Sequence, residues 1–444
     1  SFAAQGWAEE DGTWVYYDKN GDKVTDSWKK SGDSWYWLDE NGEMAVDMLV
    51  EDDDDYYYVD ANGVMVTNQW VAIENEDAGE EDEPDHYWYY FQANGKAYTR
   101  SDNASEDSVS AKTINGKKYA FDEEGRMLYG WVSGGERQTD DDAWKESLYY
   151  FGDEDDGAMS LGWRQISIVD DEYEDLQPGD EYWDEDQDRW FYFQTSGKKV
   201  AADSEDGDTL KTKTINGRKY GFDEYGRMIS GLALLRMEDG SNTAIAEKIA
   251  SDDPTFPYEN EDEFNTTVAK LTDSGDLQKG NYAFYYFGSS EDGAMKTGKQ
   301  TISLDGDTAT FKFKTTSSDK GVGITGLDDK KYYVGGKLIK ADKEDKYDIV
   351  LTKDDVVLGD TDDGTVRFDI KQFIKEFGGV LQEKDDKEYK KDQDTWVFKT
   401  DKTKNCRVIN ASGTVAKGKT VKDGDGYKIT VDSNYAITKI VLED

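Results

Sequence analysis

The sequence predicts an all-β fold: a solenoid of β-hairpin repeats that ends in degenerate β repeats or a C-terminal β cap. Three observations predict it. Trp7, Trp28, Leu49 and Trp70 fall 21 residues apart. Trp14, Trp35 and Tyr56 keep the same spacing seven residues behind. An Asn-Gly pair then follows each aromatic run, at Asn20-Gly21, Asn41-Gly42, Asn62-Gly63 and Asn94-Gly95. A fixed period of this length marks one small unit copied and stacked.

Each unit reads Gly/Ser-Trp, a polar spacer, an aromatic tetrad, three polar residues, Gly and a tail. In a tetrad such as Trp14-Val15-Tyr16-Tyr17 or Trp35-Tyr36-Trp37-Leu38, strand alternation puts the first and third side chains on one face and the second and fourth on the other. Both faces are apolar, so the strand needs cover on two sides. A stack of hairpins supplies that cover and a lone hairpin does not. Asn-Gly is a strong hairpin-turn signal, which places the predicted tip after each tetrad.

The first three copies occupy residues 6–25, 27–46 and 48–67, and the regular repeats form a first segment, 6–72. Over 73–340 the units recur with insertions between the Trp and its tetrad, at 73–86, 133–147, 166–189 and 236–279. These insertions are acidic and read as lengthened surface loops. Residues 341–444 change character, with strand-like stretches at 347–351, 365–370, 396–399 and 428–431 and a short helix at 370–377. Faint echoes of tetrad and turn at 407–413 and 427–434 favour degenerate repeats that cap the stack; a separate small β domain is the alternative.

Lys and Arg total 53 against 98 Asp and Glu, a net charge of -45, with most of the excess before residue 340. Such a field disfavours nucleic acid, whose binding needs a basic footprint, and draws cations. The acidic runs 51–55, 80–85 and 180–188 invite a calcium reading, but Asp184, Asp186 and Asp188 lack the central Gly and final Glu of an EF-hand loop. A solvated acidic face stands against weak calcium binding at these loops, and no cofactor is otherwise expected. The chain has one histidine, His86, and one cysteine, Cys406, which leaves no Cys/His metal cluster and no nucleophile pair. An intermolecular bridge is the only disulfide open to Cys406. No apolar run is long enough to span a bilayer, and residues 1–5 read as the start of a mature, processed chain.

Gly-Trp, tetrad and Asn-Gly at this period resemble the cell-wall-binding, choline-binding-like repeats of Gram-positive surface proteins. The Thr113-Ile114-Asn115-Gly116-Lys117-Lys118-Tyr119 unit is similar to those of clostridial toxin and streptococcal glucan-binding regions. The resemblance covers about residues 6–340. It implies a hairpin solenoid in an extracellular protein, held to choline-bearing teichoic acid or another glycan. It also implies a ligand box built from the Gly-Trp tryptophan, the first tetrad residue, and the third tetrad residue of the next repeat. The ring faces of such a box attract a quaternary ammonium through the cation-π interaction. On this sequence the boxes are Trp7, Trp14 and Trp37, then Trp28, Trp35 and Tyr58. The next sets fail, with Leu49, Tyr56 and Tyr90, then Trp70, Trp88 and Ala120. Leu148 interrupts the set of Trp131 and Tyr192, and Gly221 that of Trp163 and Trp190.

The expected function is therefore a noncatalytic, secreted or cell-wall-associated binding and scaffold protein that recognises cell-wall choline or glycan near its N-terminal end. The alternative is a structural subunit that self-associates into a fibre or layer without a small ligand.

Overall fold

The computed structural model describes residues 5–100, 109–169, 186–203, 209–237, 243–246, 258–360, 364–383 and 393–443. Residues 180–185 of the third acidic run, and the N-terminal residues 1–4, lie outside the described residues. The chain divides into two units, Ser1–Val200 and Ala201–Asp444.

The first unit is a series of antiparallel hairpins. Gly6–Glu10 pairs with Thr13–Tyr17, Ser27–Ser31 with Ser34–Leu38, Met48–Asp52 with Asp55–Val59, and Gln69–Glu74 with His86–Phe91. The tips are not the Asn-Gly pairs after the tetrads. They precede the tetrads, at Asp11-Gly12 (φ 52° and 80°) and Asp53-Asp54 (φ 50° and 65°), the two positive values a type I′ turn demands. Only Asn115-Gly116 and Asn216-Gly217 put Asn-Gly at a tip.

The Asn-Gly after each tetrad closes a second turn. Asp18, Asp39 and Asp60 each accept two backbone N–H groups there; for Asp39 the donors are Asn41 and Glu43, both at 2.9 Å. That aspartate competes successfully with the strand ladder for the backbone and bends the chain. The turn returns the tail to the preceding hairpin: Met44 N–H donates to Trp14 O, Met65 to Trp35 O, Ala97 to Tyr56 O and Met127 to Trp88 O, at 2.7–2.8 Å. The turn glycines Gly42, Gly63 and Gly95 lie on Lys23, Met44 and Met65, the tail residues of the repeats before them. At Gly95 (φ +83°) a Cβ would stand 2.6 Å from Met65 Sδ, so a larger residue is strained at this φ and displaces the methionine. Hydrogen-bonded tails and nested turns are what join one hairpin to the next, as nearest-neighbour stacking requires.

The insertions do interrupt hairpins between first strand and tetrad strand, and among the described residues two of them hold helices. Residues 133–147 hold a short helix, α1 (Ala143–Glu146), whose Trp144 is buried. In the second unit, residues 236–279 include α2 (Glu261–Ser274) and α3 (Asp276–Lys279). The expectation of an acidic surface loop fails there. Phe264, Val268 and Leu271 share one helical face and join Phe284, Phe311 and Tyr332 in the unit's main core. Asn260 caps the helix by accepting from Glu263 N–H, and Gly275 ends it at φ 82°.

Later hairpins of the second unit widen into sheets. One runs Gly298–Leu304, Asp307–Phe313, Lys337–Leu338, Lys331–Val334, Gly326–Asp328; another runs Val380–Leu381, Gln393–Val397, Ile437–Glu443, Tyr427–Val431, Lys419–Lys422. The echo at Cys406–Asn410 keeps the repeat's pattern: Asn410 caps the turn, Gly413 lies on Leu338, and Val415 N–H donates to Lys330 O at 2.9 Å. The predicted helix appears as α4 (Ile370–Glu376). The strand expected over 365–370 shrinks to Arg367–Phe368, because the Asp369 side chain caps the helix instead. Cys406 is fully buried and burial pushes its thiol up to about 12, so it presents no accessible thiolate for an intermolecular bridge.

Candidate functional site

A cavity of about 300 Å3 opens at the first junction, and Trp7, Trp14, Tyr36, Met44, Ser31 and Asn62 line it. Tyr36 stands 5.5 Å from Trp7 at 72°. Trp14 is 43% exposed, which leaves one wall of the cavity open to solvent. The sequence-predicted trio therefore comes together only in part. Trp7 and Trp14 share the cavity, but Trp37 does not belong to it. It pairs across its own hairpin with Trp28, at 5.2 Å, and is buried with Ala45, Val50 and Val59.

The second junction repeats this shift. Tyr57, not Tyr58, meets Trp28 at 5.1 Å, while Trp35 is 39% exposed. Tyr58 faces Leu49 across its own hairpin, donates to Asp47, and lies 6.1 Å from Phe91 in the next cluster. Desolvation, with the Asp47 bond behind it, pushes the Tyr58 phenol up to about 12.

The two junctions differ in charge. Across the strand from Trp14 is Glu9, whereas across from Trp35 is Lys30, whose ammonium lies over the Trp35 ring at 5.9 Å. The first junction thus has a carboxylate neighbour and the second a lysine already over its ring.

Residues 4–48 and 24–70 match the family described as Choline-binding repeat. The match spans the first hairpins, which are similar to choline-binding repeats. It is 26% identical over 225 residues to Glucosyltransferase-S of Streptococcus mutans, a match covering 49% of this chain and 10% of that protein. The chain thus spans about a tenth of the length of that curated relative. Among solved structures it is similar to choline binding protein F of Streptococcus pneumoniae, at 16% identity and a TM-score of 0.36, covering 99% of both chains. It is also similar to the modular autolysin LytC of Streptococcus pneumoniae, at 15% identity and 0.36, covering 78% of this chain and 55% of that one.

The remaining junctions of the first unit follow the shifted register. At the third, Leu49, Tyr56 and the buried Tyr89 pack with Phe91. At the fourth the third wall is Tyr119 rather than Ala120, 4.8 Å from Trp70. Phe121 fills in at 5.7 Å, and Trp88 Nε1 donates to Asp155, which also pairs with His86 at 2.7 Å. A signal for this register exists in the sequence. The second tetrad position is aromatic at Tyr36, Tyr57, Tyr89, Tyr119, Tyr149 and Phe191, and is Val15 in the first repeat of the sequence. The third position instead tracks the repeat's own first strand: it is Tyr16, Trp37 and Tyr90 opposite Trp7, Trp28 and Trp70, and Gly221 opposite Thr212.

A second cavity, of about 310 Å3, was not legible in advance. Arg100, Arg126 and Arg137 line it together with Glu83, Tyr87 and Asp122. Arg126 pairs with Asp122 (2.8 Å) and Glu124 (2.9 Å) and lies over Tyr87, and Arg137 covers Tyr129 and donates to Asp82 O. These contacts tie the insertion loops to the hairpins. Among the described residues, no three His, Cys, Asp or Glu side chains group as they would around a metal ion, and no helix is long and apolar enough to cross a membrane.

Proposed function

We propose that this chain is a noncatalytic, extracellular cell-surface scaffold that binds cell-wall choline, with the Trp7, Trp14 and Tyr36 cage as its main site and Trp28, Trp35 and Tyr57 as a weaker one. The observation that carries the reading is the half-open cavity of about 300 Å3 between three aromatic rings. That volume is at the small end of ligand sites and suits a trimethylammonium head. Ring faces attract the cation, and Glu9 and the chain's net charge of -45 add a favourable field. A glycan ring would use the same apolar faces without needing that charge. Titration of intact protein with choline, and with a neutral isostere such as 3,3-dimethylbutanol, separates the two. Tight binding of choline alone supports the cage, and equal binding of both overturns the cation reading.

One observation favours a second reading, self-association. Val380 and Leu381, 66% and 52% exposed, form an edge strand of the C-terminal five-stranded sheet, and Val397 on the strand beside it is 44% exposed. Exposed apolar edge strands invite pairing. Leu381→Lys would then lower the mass seen by light scattering at high protein concentration, and an unchanged monomeric mass in the parent sinks this reading.

A further inference from the structure

The junction at Trp131 has the geometry of the first cage with a different occupant. Trp131 and Phe191 stand 5.3 Å apart at 71°, against 5.5 Å and 72° for Trp7 and Tyr36. Leu148 takes the place that Trp14 holds in the first repeat, so one aromatic wall is missing. The tail residue also differs. Where Met44 lines the first cavity, this repeat carries Lys199, whose N–H donates to Leu148 O as Met44 donates to Trp14 O.

Lys199 is 4% exposed. Its ammonium lies 5.2 Å from the Trp131 ring centre and 6.0 Å from that of Phe191. It donates to Trp144 O and Lys145 O at the end of α1. Burying an ammonium costs several kcal/mol unless it is paired and hydrogen-bonded, and two ring faces and two carbonyls offset that cost here.

We propose that Lys199 is a built-in ligand: its ammonium occupies the Trp131–Phe191 cage, closes that junction to external cations, and pins α1 of the insertion over it. The inference rests on reading the junctions as ammonium cages, and it adds a selectivity of its own. The two carbonyl acceptors require N–H donors, so this cage takes a primary ammonium and rejects a quaternary one, the reverse of an all-aromatic cage. The insertion thus supplies the wall that the repeat lost at Leu148.

Chemical rescue in the full chain tests this. Lys199→Ala removes Cγ, Cδ, Cε and Nζ, the atoms that n-propylammonium would return. The variant is expected to melt several degrees below the parent, and n-propylammonium chloride is expected to restore part of the loss. Sodium chloride and tetramethylammonium chloride at the same concentration are expected to restore none. A variant as stable as the parent, or equal shifts from all three salts, overturns the proposal. Should Lys199→Ala fail to fold, Lys199→Met, which installs the usual tail residue of the repeats, is read by hydrogen exchange. Faster exchange over residues 143–147 supports the pin, and unchanged exchange overturns it. Choline titration of the parent and of Trp14→Ala tests the N-terminal cage alone, so a failure there leaves the propylammonium outcome readable, and the reverse holds too.

Discussion

Tyr36→Leu separates the cage from the hairpin core. The leucine keeps apolar bulk beside Trp7 but removes the ring face that stands 5.5 Å from it. A cation-π contact is worth about 0.5–1 kcal/mol when exposed and about 2 when desolvated. Trp14, at 43% exposure, leaves this cavity open on one side, so the loss falls between the two, roughly 1–1.5 kcal/mol, or about a tenfold rise in the choline Kd. Trp37→Phe is the matched control, because Trp37 packs on Trp28 away from the cavity. It shortens a core side chain, and its expected effect is a stability loss of about 1–2 kcal/mol with choline affinity at the first cage unchanged. Isothermal titration with choline and calorimetric melting of both variants give the comparison. If Trp37→Phe weakens choline as much as Tyr36→Leu does, the shifted register is wrong and the box of Trp7, Trp14 and Trp37 returns.

Three further outcomes are expected. Asp39→Ala removes the acceptor of the Asn41 and Glu43 N–H groups; the loss of about 1 kcal/mol should appear as a drop in Tm of about 2–4 °C for a unit of this size, and an unchanged Tm would show the turn needs no cap. Tyr58, Tyr87 and Tyr89 are each pushed up to about 12, desolvation being the first cause, whereas unfolded tyrosine titrates at about 10. The folded state holds these protons more tightly, so its stability from them is complete below about pH 10 and lost as pH rises towards about 12; a melting temperature that is flat across this window, with phenolate absorbance already complete at about pH 10, refutes the burial. Removing residues 341–444 strips Val350, Val357, Ile409 and Val415 from the core that holds Tyr332 and Val334, so the shortened chain should associate, and more so with added salt, which screens the acidic repulsion beyond about 8 Å. A truncated chain that stays monomeric at high salt and melts like the parent would mark that region as an independent domain.

Much of the architecture was legible in the residues. A period of 21 with aromatic tetrads announces a stack of hairpins, since no single hairpin covers two apolar faces. The family resemblance, carried over residue by residue, put Trp7 with Trp14 at one junction. The third wall differs because a carried-over motif names a position in the next repeat, and not how that hairpin presents its two faces to the one before. Tertiary contacts decided that Tyr36 and Tyr57 close the junctions while Trp37 and Tyr58 pair within their own hairpins. The hairpin tip was misplaced for a related reason. Asn-Gly suits two kinds of turn, and the aspartate three residues before the glycine, whose carboxylate accepts two backbone N–H groups, selects the one after the tetrad. Phe264, Val268 and Leu271 were legible as a helical face, yet their acidic surroundings disguised a core element as a loop. That a lysine in the tail position should fill a cage could come only from the fold. Sequence by itself determines that Lys199 replaces a methionine, and only packing under α1 buries its ammonium between two rings and two carbonyls.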